Sequence, residues 1–223
     1  MPALAFVAAR DEESRVGETV RAIRDLPVDE IVVVDDGSRD GTAAEALAAG
    51  ARVLVAPRPM GKGEALEAAL DRAPAADVYL FLDGDLGATA SAAVPLLELV
   101  RDGKADLAIA ELPRQPGHGG FRVVKRLSAR LIRSLSGFRA REPMSGQRAM
   151  TREVLEAVRP LAPGFGVETA MTIDAVRAGF RVMEVEVPMS HRVTGRDLAG
   201  FAHRARQGRD VLAAAWPRAI GRR

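Results

Sequence analysis

Cysteine is absent from this chain of 223 residues, and histidine is scarce, at three. The first absence excludes a disulfide framework, a zinc ribbon and a cysteine nucleophile, and it suits a reducing compartment such as the cytoplasm. Aromatic residues make up only 4% of the sequence, with a single Trp and a single Tyr. Basic stretches without interleaved aromatics lack the stacking platforms of nucleic-acid binders, so no nucleic-acid partner is expected. No apolar run approaches the ~20 residues that cross a bilayer, and no charged segment precedes an apolar core at the N-terminus. The expectation is a soluble protein without a transmembrane segment, one that at most rests on a membrane surface. Lysine is also rare, the basic residues being nearly all Arg.

What is present is unevenly spread. The net charge of +2 conceals 11 Lys and Arg against 21 Asp and Glu in residues 1–113, 11 against 3 in 114–159, and 8 against 2 in 192–223. An acidic region able to hold a metal beside basic regions able to hold an anion fits one site for a phosphorylated ligand. Solvated helix faces are the plainer alternative. The length suits one large domain with a substantial core.

Apolar runs and helical periodicities alternate through the first half. Strands are predicted at Leu4–Ala9, Ile31–Val34, Arg52–Ala56, Val78–Leu82 and Leu107–Ala110. Helices fall between them near Val16–Asp25, Thr42–Ala49, Gly63–Ala73 and Ala92–Asp102. This alternation predicts an α/β fold, a doubly wound, mostly parallel sheet with helices on both faces. Residues 112–120 are too rich in Pro and Gly for regular structure. Beyond them come a basic amphipathic helix at Phe121–Leu135, a short strand within Ser145–Met150 and a helix at Val167–Ala178. An edge strand at Arg181–Val187 and a basic helix at Leu198–Trp216 complete the chain. Residues 1–113 thus read as a Rossmann-like half, 114–192 as a second half of the same domain that covers the sheet and supplies a second binding surface, and 193–223 as a basic C-terminal helix or tail.

Two strands run directly into carboxylates: Ile31–Val34 into Asp35-Asp36-Gly37-Ser38, and Tyr79–Leu82 into Asp83-Gly84-Asp85. In parallel sheets ligands bind beyond the carboxyl ends of the strands. Four carboxylates converging there repel one another unless a cation or a hydrogen-bonding ligand lies among them. Asp83 and Asp85 can both reach a hard divalent cation, which would neutralise a diphosphate leaving group; a plain Asp-Gly turn is the alternative. Asp40 or Thr42 can cap the helix that follows, whereas Asp35 is not needed as a cap and, with Ser38 assisting, could accept a hydrogen bond from a base or a ribose. Gly61-Lys62-Gly63-Glu64 opens a helix whose N-terminus suits phosphate. It is not a Walker A loop, because Gly63 follows Lys62 and Ala56 stands where the first Gly belongs. His191 lies just after the last predicted strand. Glu168 begins a helix behind glycines, either as compensation of the helix dipole or in contact with a ligand.

Taken in order, Ala8-Ala9-Arg10-Asp11-Glu12-Glu13, Val34-Asp35-Asp36-Gly37-Ser38, Gly61-Lys62-Gly63, Asp83-Gly84-Asp85 and Pro143-Met144-Ser145-Gly146 resemble family 2 glycosyltransferases of the GT-A fold, the nucleotide-diphospho-sugar transferase fold. Met60–Leu66, Gly119-Gly120-Phe121-Arg122-Val123, Met144-Ser145-Gly146 and Ala162–Glu168 resemble the glucosyl-3-phosphoglycerate synthases more closely. The resemblance implies transfer of a sugar, glucose foremost, from a UDP-linked donor to a phosphate-bearing acceptor such as phosphoglycerate, with Mg2+ or Mn2+. It places Ala9, Arg10, Glu12, Asp35, Ser38, Lys62 and Gly84 around the donor, and Gly119, Gly120, Arg122, Val123, Ser145 and Gly146 around the acceptor. Asp85 and His191 would hold the metal, and Asp83, Asp85, Glu168 and Lys62 would serve the chemistry. A homodimer and peripheral contact with the inner membrane surface are further implications. Synthases of this kind are usually longer. Polyprenyl-phosphate glycosyltransferases are the second reading. A sugar nucleotidyltransferase would carry a glycine-rich basic loop after the first strand, where this chain has Ala8-Ala9-Arg10-Asp11-Glu12, and a noncatalytic sugar-nucleotide-binding module would bind donor without turnover.

Overall fold

The computed structural model describes residues 1–113, 121–190 and 198–221, with side chains after the two gaps described from Val123 and from Arg206 onward. Its strands are β1 (Ala3–Ala9), β2 (Glu30–Asp35), β3 (Arg52–Val55), β4 (Val78–Asp83), β5 (Leu107–Glu111), β6 (Arg148–Thr151) and β7 (Val182–Glu186). Its helices are α1 (Glu13–Ile23), α2 (Thr42–Ala48), α3 (Lys62–Leu70), α4 (Val94–Arg101), α5 (Phe121–Ser136), α6 (Arg152–Val158), α7 (Val167–Arg177) and α8 (Leu198–Ala219). They form one seven-stranded sheet in the order β3-β2-β1-β4-β6-β5-β7. Two of its six pairings are antiparallel, since β6 alone runs against the strands beside it, β4 and β5. The parallel pairs β1–β2, β1–β4, β2–β3 and β5–β7 carry the rest.

The apolar runs are continuous because both faces of the sheet are covered. Successive residues of β1 part company: Ala3, Ala5, Val7 and Ala9 join the core with α1, α2 and α4, while Leu4 and Phe6 join the opposite core with α3, α6 and α7. The same alternation sends Leu80 and Leu82 one way and Tyr79 and Phe81 the other. On that second face the Phe6 ring meets Phe81 edge-on at 5.8 Å and Tyr79 at 6.3 Å. A third layer forms where α5, α7 and α8 pack on one another.

Four sequence expectations shift. The helix expected from Ala92 starts at Val94, since Gly87–Ala93 winds as a 3-10 segment, with Pro95 in the first turn of the α-helix that follows. The strand expected from Ser145 begins at Arg148, because residues 145–147 turn aside into the crevice described below. Helix α6 was not visible in the sequence: at 7 residues it spans barely two turns. Thr151 caps it by accepting from the Val154 N–H at 3.3 Å. Thr42 does not cap α2 itself; Gly41 is the cap residue, and the Asp40 carboxylate accepts the Thr42 N–H at 3.0 Å.

Candidate active site

The register of three adjacent strands sets the position of the crevice. Ala9 lies opposite Asp35 on β2, and Ala8 lies opposite Asp83 on β4. The carboxyl ends of β2, β1 and β4 therefore stop at one level. Gly84 continues β4 against β1 so closely that a Cβ there would come within 2.9 Å of the Ala9 Cβ. Thr19 of α1 secures the turn beyond it, donating to the Gly84 carbonyl at 2.8 Å and accepting from the Gly87 N–H at 2.8 Å. Arg15 donates to the Asp85 carbonyl at 2.7 Å. The Asp85 side chain is half-buried at this edge.

The four expected acids do not converge as one cluster. Asp35 is 2% exposed, and its Oδ1 accepts both the Ser38 N–H at 2.8 Å and the Ser38 hydroxyl at 2.6 Å. Asp36 turns the other way and accepts the N–H groups of Met60 at 2.6 Å and of Gly61 at 3.0 Å, which ties the loop before α3 to β2. Each carboxylate thus accepts from backbone or hydroxyl donors. The β1–α1 loop is cross-linked to the same turn: the Ser38 hydroxyl accepts the Asp11 N–H at 2.9 Å, and Thr42 accepts the Glu12 N–H at 2.8 Å. Asp11 adopts a left-handed φ of 55° to make this approach. Arg10 is exposed on the rim.

Asp83 does meet a cation, and it is Lys62. The Lys62 ammonium, at the N-terminus of α3, donates to Asp83 Oδ1 at 2.6 Å and to Glu168 Oε1 at 2.7 Å. Gly61 precedes it with a φ of 112°, a conformation that L side chains rarely adopt. Burial disfavours the charge on Lys62, but Asp83 and Glu168 outweigh it and hold the pKa above the ordinary lysine value. The other Asp83 oxygen accepts from Gln147 Nε2 at 2.8 Å. Gly146 lies directly over the pair: a Cβ there would stand 2.4 Å from the ammonium and 2.6 Å from Asp83 Oδ2. Ser145 is buried, its hydroxyl 3.3 Å from Gln147 Oε1. Of the expected residues, Lys62, Asp83, Glu168 and Gly146 are therefore brought into contact, Ser145 stands behind them, and Ala9, Gly84 and Asp85 flank them.

Gln147 and Arg148 escaped the sequence reading. Arg148 is 1% exposed, donates through Nε to the Ser145 carbonyl at 2.7 Å and through Nη1 to the Thr172 hydroxyl at 2.9 Å. Thr172 in turn donates to the Glu168 carbonyl at 2.9 Å. Burial pushes the Arg148 pKa down to about 10, against the pull of Glu168, Glu184 and Asp83. Its Nη2 has no partner among the described residues. It borders a small cavity with Lys62, Gly146, Glu168, Phe81 and Met171. A polar pair inside an apolar strand pattern carries no periodic signal; its position next to Ser145-Gly146 was the one available hint.

Glu168 owes its place to the turn before α7. That turn is clamped by α8, for a Cβ on Gly166 would meet the Asp210 carbonyl at 2.4 Å and one on Gly164 the Asp210 carboxylate at 2.3 Å. The segment before β6 is pinned to the far edge, where Glu184 accepts the N–H groups of Arg141 at 2.8 Å and Glu142 at 2.7 Å. Val123 is exposed in the first turn of α5. Gly119, Gly120, the side chain of Arg122 and His191 lie outside the described residues. The chain leading to His191 is anchored beside the β4 turn, with the Ser190 N–H donating to the Thr89 hydroxyl at 3.2 Å. Among the described residues, no three His, Asp or Glu side chains gather into a metal-holding group. A cation that binds through one or two carboxylates and substrate phosphates, as Mg2+ does, needs no such preformed cage. Nor is any helix among them long and apolar enough to cross a membrane.

Comparison with known proteins follows the same outline. The glucosyl-3-phosphoglycerate synthase of Mycolicibacterium smegmatis is 36% identical over 190 residues, covering 74% of this chain and 61% of that protein. Glycosyltransferase AglJ of Haloferax volcanii is 30% identical over 191 residues, covering 84% and 62%. The chain thus spans about three fifths of the length of these curated relatives. The glucosyl-3-phosphoglycerate synthase of Mycobacterium tuberculosis, crystallised with Mn2+, UDP and glucosyl-3-phosphoglycerate, superposes with a TM-score of 0.77 at 29% identity, over 96% of this chain and 80% of that one. With phosphoglyceric acid bound, the same enzyme gives 0.80 at 30% identity, over 97% and 79%. These likenesses bear out the GT-A fold expected from the motifs. The model of glycosyl transferase family 2 matches residues 5–159, and the chain belongs to that family of glycosyltransferases.

Proposed function

We propose that this chain transfers glucose from UDP-glucose to the hydroxyl of a phosphate-bearing acceptor of the phosphoglycerate type. The observation that carries the reading is the Lys62 bridge between Asp83 and Glu168 beneath Gly146. It joins the donor-side strand ends to the α7 side of the crevice at a single point, where a sugar between two substrates would lie. The solved relatives hold UDP, Mn2+ and phosphoglyceric acid together. Asp35 would receive a base N–H on Oδ2, since Ser38 takes Oδ1. Ala9, Arg10, Glu12 and Gly84 would line the nucleoside and diphosphate, with Gly84 letting the chain approach closely. Gly119, Gly120, Arg122, Val123, Ser145 and Gly146 would receive the acceptor.

Asp85 and His191 would hold the divalent cation, which supplies positive charge for the departing diphosphate. Lys62 adds a fixed, buried ammonium on the sugar side of that charge. Glu168 already accepts from the Lys62 ammonium at 2.7 Å, so one of its oxygens is engaged on the sugar side. We therefore assign it to the sugar hydroxyls, and let the leaving phosphate oxygen take the acceptor proton, which retains the anomeric configuration.

The test is turnover of UDP-glucose with phosphoglycerate and Mn2+, with the product anomer read by NMR. A retained glucosyl product that disappears with EDTA supports the proposal, and an inverted product returns Glu168 to the role of base. No turnover with any UDP- or GDP-sugar would remove the enzymatic reading. A polyprenyl-phosphate acceptor is the second reading, favoured by the dolichyl-phosphate hexose transferase of Haloferax volcanii, 29% identical over 188 residues. Replacing phosphoglycerate with a short polyprenyl phosphate decides between them. A cytoplasmic enzyme touching the inner membrane surface, and a homodimer, are the cellular arrangement that belongs to this proposal.

A further inference from the structure

We propose that α8 docks the protein on an anionic membrane surface, with Leu212, Trp216 and Ile220 as the side chains that enter it. Leu212 and Trp216 of α8 and Ile220, in the turn that follows it, stand four residues apart and are 51%, 67% and 46% exposed. Ala213 and Ala219 are exposed beside them. Arg218 is the single charged residue from Val211 to Gly221, and it turns inward to pair with Asp174. The outer face of the last three turns is thus wholly apolar, which is costly in water and unusual at a helix surface.

Arginines bracket that stripe. Arg209 and Arg206 are exposed one and two turns before it, and Arg222 and Arg223 follow in the sequence. Helix α5, packed beside α8, exposes Arg126, Arg130 and Arg133 and carries no acidic residue. The acids near these faces are engaged: Asp210 with Arg209 and the Phe165 N–H, Glu142 with Lys125, and Asp174 with Arg218. An aromatic and aliphatic stripe flanked by Arg is the pattern of a helix lying at the headgroup boundary of anionic lipid. A second copy of the chain fits less well. A two-fold interface sets identical patches against each other and would crowd these arginines with their own counterparts. The inner face of α8 clamps the Gly164–Gly166 turn, so the helix on the membrane would also be the one that seats Glu168. The inference draws on the membrane contact of the proposed function and is independent of its transfer chemistry.

Trp216 is the one tryptophan of the chain and reports on the surface directly. The full chain is mixed with vesicles of phosphatidylcholine alone or with added phosphatidylglycerol, and cosedimentation and tryptophan emission are read. Expected are binding and a blue shift on the anionic vesicles only. Leu212→Ser with Ile220→Ser should weaken binding by roughly tenfold or more. Arg206→Glu with Arg209→Glu should weaken it by about tenfold, an effect that high salt imitates. These exposed substitutions leave transfer to soluble phosphoglycerate unchanged, so failure here is separate from failure of the transferase reading. Absence of binding, equal binding to neutral vesicles, or variants that bind like wild type would overturn the proposal. So would a blue shift without vesicles accompanied by a dimer in sedimentation velocity, which would give the face to a second copy.

Discussion

At the scale of single residues, one ammonium joins two carboxylates that lie far apart in the chain. Lys62 lies within 2.7 Å of two carboxylates on different elements. Lys62→Met should leave Asp83 and Glu168 facing each other and lower kcat/KM by roughly a hundredfold to a thousandfold, measured with saturating metal. A thermal melt of the same variant should also fall. Gly146→Ala tests the crevice without touching a charge. Its methyl would intrude on both the ammonium and Asp83, so activity should drop sharply while the circular dichroism spectrum stays as it was. Gly208→Ala is the control: the nearest atom to a Cβ there is 4.0 Å away, and the helix should gain up to about 1 kcal/mol in urea titration. The motifs made Lys62, Asp83 and Glu168 legible as polar residues in unusual places. They did not show that the three touch, because 106 residues separate Lys62 from Glu168 in the chain.

Elements hold these residues through a few buried clamps. Arg218 of α8, 3% exposed, pairs with Asp174 of α7 and donates to the Ala214 carbonyl at 2.6 Å. Arg218→Ala leaves an acid without its main partner and should cost about 3 kcal/mol or more, read as a lowered urea midpoint. Edge strand β7 is fastened differently. Arg181 donates to both Asp106 oxygens, at 2.6 Å and 3.1 Å, and its backbone N–H adds a third bond at 2.7 Å. The Arg181 hydrogen bonds hold the Asp106 carboxyl below its ordinary pKa, against a smaller effect of burial. Its stabilising contribution is therefore complete above the unfolded value near pH 4 and is lost as pH falls through the depressed folded value. Asp106→Asn should lower the urea midpoint at pH 7, and the gap from wild type should shrink below about pH 4. Strand β6 shows why elements were harder to read than their existence. Its four residues pair antiparallel between β4 and β5, a placement no local pattern encodes.

For the whole molecule, ligands that bridge the crevice should tighten the fold. UDP with Mn2+ at about a hundred times its Kd should add about 2.7 kcal/mol of stability. Scanning calorimetry of wild type and Asp85→Ala, each with and without EDTA, checks this; the metal-dependent part should vanish in the variant. The alternation of apolar runs and helices already specified a doubly wound sheet, since strands covered on both faces have no polar side to spare. The motifs likewise specified the family, because loops at strand ends must carry the same chemistry in the same order wherever the same ligand is held. Tertiary structure alone decided that Asp35 engages Ser38 and Asp36 the loop before α3, that Lys62 meets Asp83, and that Gln147 and Arg148 enter the site. Those outcomes depend on distances between residues far apart in the chain, and a one-dimensional pattern records which groups are available but not which of them come within reach of a hydrogen bond.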